Sequence, residues 1–336
     1  MGEVLVATYT KSEAQEWAWE NLQGHWTTLM TPFTSEDELD EVGLRQNMRH
    51  IRSLGTRGAG CTWGMGEFWA LTREERLRVY DVVSEEAGGT WPIGAHVTHT
   101  SMSEMLNLAR HAESVGFDLL IVAAPYFVTK TESQVVEFTR QLAETTSLAI
   151  MFYNSPQFGI VMGVDGLSRI CDIPNVVGVK EASFNQQLSI DTHQVLGQRA
   201  VISTPDEWIL FKGRELGFQQ QVMFANTSDW RFDKPGQNYY VQFIERGTSG
   251  DIDDAFYEDH IQPVKRISDK WWQAIVAKQG GALPASMCKY WGELMGLAGG
   301  HVRAPLSDLT EAEKQALKME LTTIQNKGFV GVGEAP

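Results

Sequence analysis

Two residues of this chain have the types and spacing for carbonyl chemistry. Lys180 closes the apolar run Val176-Val177-Gly178-Val179, with Glu181 directly after it, and Tyr153 closes a second run that starts at Leu148. An amine at the end of a buried strand has two readings. It either snorkels into water, or it stays desolvated and neutral often enough to attack a carbonyl. A phenol beside such an amine suits imine chemistry, because it can pass protons to the carbinolamine and to the leaving oxygen. Taken alone, Tyr153 also reads as a half-buried core tyrosine with its hydroxyl satisfied.

The elements that would position this pair come from two alternating periods. Strand-like runs fall at 25–33, 58–64, 91–99, 117–127, 148–154, 175–181, 200–204 and 220–226. Amphipathic stretches such as 39–54, 72–86, 103–115, 131–145 and 206–216 lie between them. Several open on a cap: Ser101 or Ser103 before Glu104, Thr72 before Glu74 and Glu75, Thr131 before Glu132. Gly55, Gly88, Gly116 and Gly217 stand where helices should stop. The runs are nearly continuous in apolar residues, as strands covered on both faces must be. The pattern predicts an α/β fold, a closed (β/α)8 TIM barrel with a C-terminal helical extension. An open Rossmann-like sheet would want a glycine-rich turn after the first strand, and LMTPFTSEDE has no GxGxxG there.

Residues 1–24 read as an N-terminal extension, 25–245 as the barrel, 246–327 as a C-terminal helical domain and 328–336 as a loose tail. The helical signals after the barrel fall at 239–246, 251–277, 285–296 and 310–325.

Barrel chemistry sits at the C-terminal ends of the strands. Those ends carry Thr31-Pro32-Phe33, Thr62-Trp63-Gly64-Met65-Gly66-Glu67, His96 and His99, Pro125-Tyr126-Phe127, Tyr153-Asn154-Ser155-Pro156, Lys180-Glu181 and Asn226. Parallel neighbours lie about 4.8 Å apart, so Tyr153 and Lys180 can reach one substrate atom. Thr62, Asn154 and Asn226 are polar groups that could position a water or a hydroxyl. His96 and His99, three apart on a strand, point to opposite faces and cannot chelate one ion together. No metal is expected.

Composition narrows the partners. The formal charge of −15 opposes nucleic acid and anionic membrane, because either would be repelled at long range. Hydrophobic residues at 43% and charged residues at 21% give an ordinary core-forming balance. Cys61, Cys171 and Cys288 suggest no disulfide framework, which points to a cytoplasmic home. No apolar run is long enough to span a membrane.

These strand ends together resemble the dihydrodipicolinate synthase / N-acetylneuraminate lyase family of Schiff-base aldolases. The motifs are TPF in the first run, G-x-G-E followed by LTREER over 64–76, YNSP at 153–156 and GVKEAS at 178–183, in the family's order. The lysine of G-x-K-E comes 27 residues after the tyrosine of YNSP, a quite specific combination. The resemblance covers roughly residues 25 to 300. It implies that Lys180 forms an imine with a 2-keto acid such as pyruvate, that Tyr153 shuttles protons, and that the backbone around Gly64 and Met65 cradles the substrate carboxylate. It implies no organic cofactor and a homotetramer.

The departures bear on substrate. The family's G-T-T-G-E or G-T-S-G-E loop is here Trp63-Gly64-Met65-Gly66-Glu67, without both hydroxyls. The second tyrosine of the synthases' relay is replaced by Phe127, and the arginine that grips a second carboxylate by Phe158. A site built to pair a carboxylate does not tolerate that apolar replacement. Trp63, Phe68, Trp69, Phe127, Phe158 and Trp230 instead suggest a pocket for a flat apolar aldehyde half. The expected activity is that of the family's aromatic hydratase-aldolases, which hydrate and cleave a benzylidenepyruvate to an aromatic aldehyde and pyruvate. The alternatives are another 2-keto acid aldolase or sugar-acid dehydratase of the same family, or a catalytically silent barrel that binds.

Overall fold

The structure is a computed structural model, and it describes residues 8–225, 231 and 233–325. Its centre is an eight-stranded parallel sheet curled into a barrel. The strands are β1 Gly24–Thr28, β2 Gly58–Cys61, β3 Ile93–His96, β4 Leu119–Ala123, β5 Ala149–Asn154, β6 Val176–Glu181, β7 Val201–Ser203 and β8 Val222–Phe224. The order β7-β6-β5-β4-β3-β2-β1-β8 is that of a (β/α)8 barrel. Among the described residues β7 and β8 share no ladder bond, and side chains bridge their seam. Ser203 Oγ accepts from the Phe224 N–H (2.8 Å). The Gln220 carboxamide accepts from Thr204 N–H (2.9 Å) and donates to Thr204 C=O (3.1 Å).

All residues of all eight strands are buried, which explains their near-continuous apolar sequences. Helices cover the outside. Thr72 and Thr131 form capping boxes with Glu75 and Gln134 at the starts of Arg73–Ala87 and Glu132–Thr145. Ser101 is the N-cap of Met102–Ser114 but makes no side-chain cap bond. The β5–β6 pair skips one residue: Ile150 faces Val176 while Met151 faces Gly178. Beyond that skip, Tyr153 and Lys180 are direct Cα partners. Gly178 is required at the skip because a Cβ there would lie 2.0 Å from the Val201 carbonyl oxygen.

The N-terminal extension has a structural position. Its helix Ala14–Asn21 lies under the barrel. There Gln15 donates to the Val177 carbonyl (3.3 Å), and the Tyr9 hydroxyl bonds both the Asp118 carbonyl and the Ala149 N–H. Helix Tyr239–Ser249 packs on β1 and β8 and runs past the boundary expected at 245. The single helix expected over 251–277 is instead a turn at Asp254–Phe256, a π-helical turn at Tyr257–Ile261 and a helix Gln262–Lys278. Pro263 explains the break, since it lacks the N–H that an uninterrupted helix would use. Ala285–Leu294 and Glu311–Gln325 complete the C-terminal layer. The expected tail, 328–336, lies outside the described residues. No described helix is long and apolar enough to cross a membrane.

Candidate active site

Lys180 is only 1% exposed, so it does not snorkel. Its Nζ lies 4.4 Å from the Trp63 ring centroid and 4.7 Å from that of Tyr153. No carboxylate or hydrogen-bond acceptor among the described residues pairs with it. Aromatic faces contribute at most about 2 kcal/mol to a cation, whereas an unpaired buried ion costs several. Burial therefore wins and pushes the amine well below its usual pKa of 10.5. The result is an amine at the strand end whose charged form is disfavoured.

Tyr153 is also buried. Burial raises its phenol above 10, with the Ser155 hydroxyl pulling the other way, so it rests as a proton donor. Trp63 can lie across the barrel because β2 offers it glycine: a Cβ on Gly60 would meet the indole at 2.3 Å. Trp63, Gly64, Met65, Tyr153 and Lys180 close a small cavity, roofed by Trp272 and Leu283 of the C-terminal layer.

The loop that carries Gly64 and Met65 is a 3-10 turn, Gly64–Gly66, flanked by Thr62 and Glu67 in left-handed conformations (φ +53° and +51°). Its first N–H groups have no partner inside the turn. Below it lies a buried ion pair, Glu67 to Lys289 at 2.6 Å, with Lys289 also donating to the His301 carbonyl (2.7 Å). Burial pushes Glu67 up and Lys289 down, and each pulls the other back.

A second, wider pocket opens beside the lysine cavity and shares Leu283 with it. Phe68, Trp69, Tyr126 and Phe158 form its aromatic side, and Pro305 and Leu306 its C-terminal side. Phe158 also packs edge-to-face on Tyr153 at 5.3 Å between centroids.

Five of the eleven residues expected at the site thus meet around the lysine (Lys180, Tyr153, Trp63, Gly64 and Met65), and Phe158 lines the adjoining pocket. Three stand elsewhere. The Thr62 hydroxyl donates to the His96 carbonyl (3.1 Å) behind the loop. Asn154 faces the opposite side of β5 from Tyr153, where its amide donates to Glu181 (2.7 Å) and to the Met162 carbonyl (3.0 Å) and accepts from Met162 N–H (2.9 Å). Phe127, at φ +55°, is 70% exposed and outside both pockets. Asn226 and Trp230 lie outside the described residues. The sequence reading did not place Gln157, Trp272, Leu283 or Lys289 here. Among the described residues no group of three or more His, Cys, Asp or Glu side chains could hold a metal ion.

Comparison with known proteins agrees with this geometry. The profile of the Dihydrodipicolinate synthetase family matches residues 21–324. The chain is 26% identical over 302 residues to a 4-hydroxy-tetrahydrodipicolinate synthase of Methanosarcina acetivorans, covering 89% of this chain and 97% of that protein. It is 33% identical over 164 residues to the enzyme of the same name from Rhodopseudomonas palustris, covering 48% and 55%. The fold is similar to that of a prophage protein of the dihydrodipicolinic acid synthase family from E. coli K12, solved with pyruvate. That likeness has a TM-score of 0.78 at 21% identity and covers 90% of this chain and 98% of that one. The lysine and tyrosine on adjacent strands, the barrel that holds them and the C-terminal helices above them place this chain in the dihydrodipicolinate synthetase family.

Proposed function

We propose that this protein is a Schiff-base lyase that hydrates and cleaves a benzylidenepyruvate-type 2-keto acid to an aromatic aldehyde and pyruvate. The observation that carries the aromatic part is the pocket beside Lys180, walled by Phe68, Trp69, Tyr126 and Phe158. The carbon–carbon lyase chemistry rests on Lys180 and Tyr153 and on membership of the family.

Neutral Lys180 attacks the 2-ketone and loses water to give an iminium, with Tyr153 supplying the proton to the departing oxygen. The N–H groups at Gly64 and Met65 hold the carboxylate, and the ring enters the aromatic pocket. Water adds to the carbon next to the ring. Retro-aldol cleavage then releases the aldehyde and leaves an enamine of pyruvate, which is protonated and hydrolysed from Lys180. No other cofactor takes part in this scheme.

The relatives' printed activity supports a second reading, a synthase or another 2-keto acid lyase of the family. It would need a cationic grip on a second carboxylate, and the position expected to supply it is the buried Phe158. We further assign the enzyme to the cytoplasm as a homotetramer acting on small keto acids, with no nucleic acid or membrane partner. One solved protein of similar fold is described as a monomeric dihydrodipicolinate synthase variant, so light scattering is the direct check on association.

The test is borohydride reduction with pyruvate, followed by peptide mass spectrometry, together with ultraviolet assay on benzylidenepyruvates. A reduced pyruvyl adduct on Lys180 and loss of the conjugated chromophore support the reading. An adduct without turnover of any benzylidenepyruvate moves the protein to the second reading. Absence of an adduct moves it to the silent barrel.

A further inference from the structure

Gln157 stands at the junction of the two pockets. Its carboxamide lines the aromatic pocket, and its Oε1 lies 3.2 Å from where a Cβ on Gly64 would project. Leu283, the residue common to both pockets, has its Cδ1 2.5 Å from that same point. Gln157 therefore stands beside Gly64 of the lysine cavity while lining the aromatic pocket.

Two other side chains with polar atoms line the aromatic pocket among the described residues, Tyr126 and Trp69. The Tyr126 hydroxyl is engaged by Thr100. Trp69 can only donate. The Gln157 side chain makes no hydrogen bond to a described residue, so its oxygen and its N–H groups are both available.

We propose that Gln157 binds and orients the water that adds to the alkene, and then holds the hydroxyl that results. This inference rests on the benzylidenepyruvate reading and deepens it. With the 2-carbon bound to Lys180 and the ring in the aromatic pocket, the intervening alkene is placed near Gly64, within reach of the Gln157 amide. The water oxygen forms its bond to the ring-side carbon, and the alkene electron pair moves through to the iminium nitrogen, giving an enamine. The water's extra proton leaves for Tyr153 or solvent, and one proton returns to the carbon next to the imine. The net change is addition of H and OH across the double bond. An amide neither gains nor loses a proton in this step; it accepts from the water and donates to the product hydroxyl.

The experiment compares wild type with Gln157→Leu, which keeps the volume, and Gln157→Glu, which keeps an acceptor oxygen. Three readouts are taken: turnover of benzylidenepyruvate by ultraviolet absorbance, borohydride trapping of pyruvate, and deuterium exchange of the pyruvate methyl group by NMR. Exchange needs only Lys180 and a proton shuttle. The expected result is a fall of about 10²-fold in kcat for Gln157→Leu, a typical cost of losing a positioning contact, with KM, trapping and exchange little changed. Gln157→Glu recovers part of the loss. The proposal is overturned if Gln157→Leu turns over at the wild-type rate, or if exchange falls in step with turnover, which marks a structural role. If wild type exchanges pyruvate protons but turns over no benzylidenepyruvate, the substrate reading fails, and this proposal with it.

Discussion

Two lysines in this protein are equally buried and oppositely partnered. Lys180 and Lys289 are each 1% exposed. Lys289 sits against Glu67 at 2.6 Å and donates to the His301 carbonyl. Lys180 faces the rings of Trp63 and Tyr153 and has no acceptor among the described residues. Burial depresses both amines, but at Lys289 a carboxylate opposes it, whereas at Lys180 no charged group among the described residues does. One lysine ties the C-terminal helix Ala285–Leu294 to the loop that begins at Gly64. The other is left without a countercharge among the described residues. Depth of burial does not separate a structural lysine from a nucleophilic one; the presence of a countercharge does.

The largest way to test this contrast is to remove each amine. Lys180→Met should abolish pyruvate trapping and turnover, since no other amine among the described residues lines the cavity, while the protein stays folded. Lys289→Met should leave trapping on Lys180 detectable and destabilise the fold by about 3–5 kcal/mol, because Glu67 would be left buried and unpaired. Chemical denaturation measures the second effect, and pairing Lys289→Met with Glu67→Gln should recover much of it. If Lys289→Met alone unfolds little, the ion pair is not what holds the loop.

The phenol comes next. Tyr153→Phe should lower kcat by about 10²–10⁴-fold, the usual range for a positioned acid–base group. Trapping of pyruvate should slow but persist, because the amine remains. Equal loss of trapping and turnover to background would show that Tyr153 shapes the cavity instead of moving protons.

The parts of this site that could be read from sequence are those set by local pattern. The β-rich runs, their order and the placing of Tyr153 and Lys180 on neighbouring strands follow from the apolar runs and from a parallel barrel, whereas their direct facing depends on the one-residue skip at Gly178. Strand alternation also accounts for Asn154: neighbouring Tyr153 on β5, it must face the other way, and there it bonds Glu181 and Met162. Other parts depend on distant chain. Trp272 and Leu283 reach the lysine only because the C-terminal layer folds back over the barrel mouth. Lys289, in ASMCKYWGEL, reads as a polar position of an amphipathic helix until its carboxylate partner is known. Phe127 took its expected role from alignment with a tyrosine, yet a left-handed backbone turns it outward.

The smallest expected effect is on the stability of Lys180→Met, and its sign is opposite to that of Lys289→Met. Because the folded pKa of Lys180 lies well below 10.5, the native state binds fewer protons at this site than the unfolded chain does between those two values. Native stability must then rise with pH through that window and fall as pH drops through the folded pKa, by up to about 1.4 kcal/mol per pH unit at this site. Lys180→Met removes the ionisable group and leaves an apolar chain of similar length in an aromatic cage. It should therefore be more stable than wild type at neutral pH, with a thermal midpoint higher by about 2–4 °C if the gain is near 1 kcal/mol. The stability difference between the two proteins should shrink as pH approaches 10.5. Thermal melts of both across this range measure it directly. A Lys180→Met protein less stable than wild type at neutral pH, with a difference independent of pH, would mean that the amine is held as a stabilised cation, and the contrast with Lys289 would collapse.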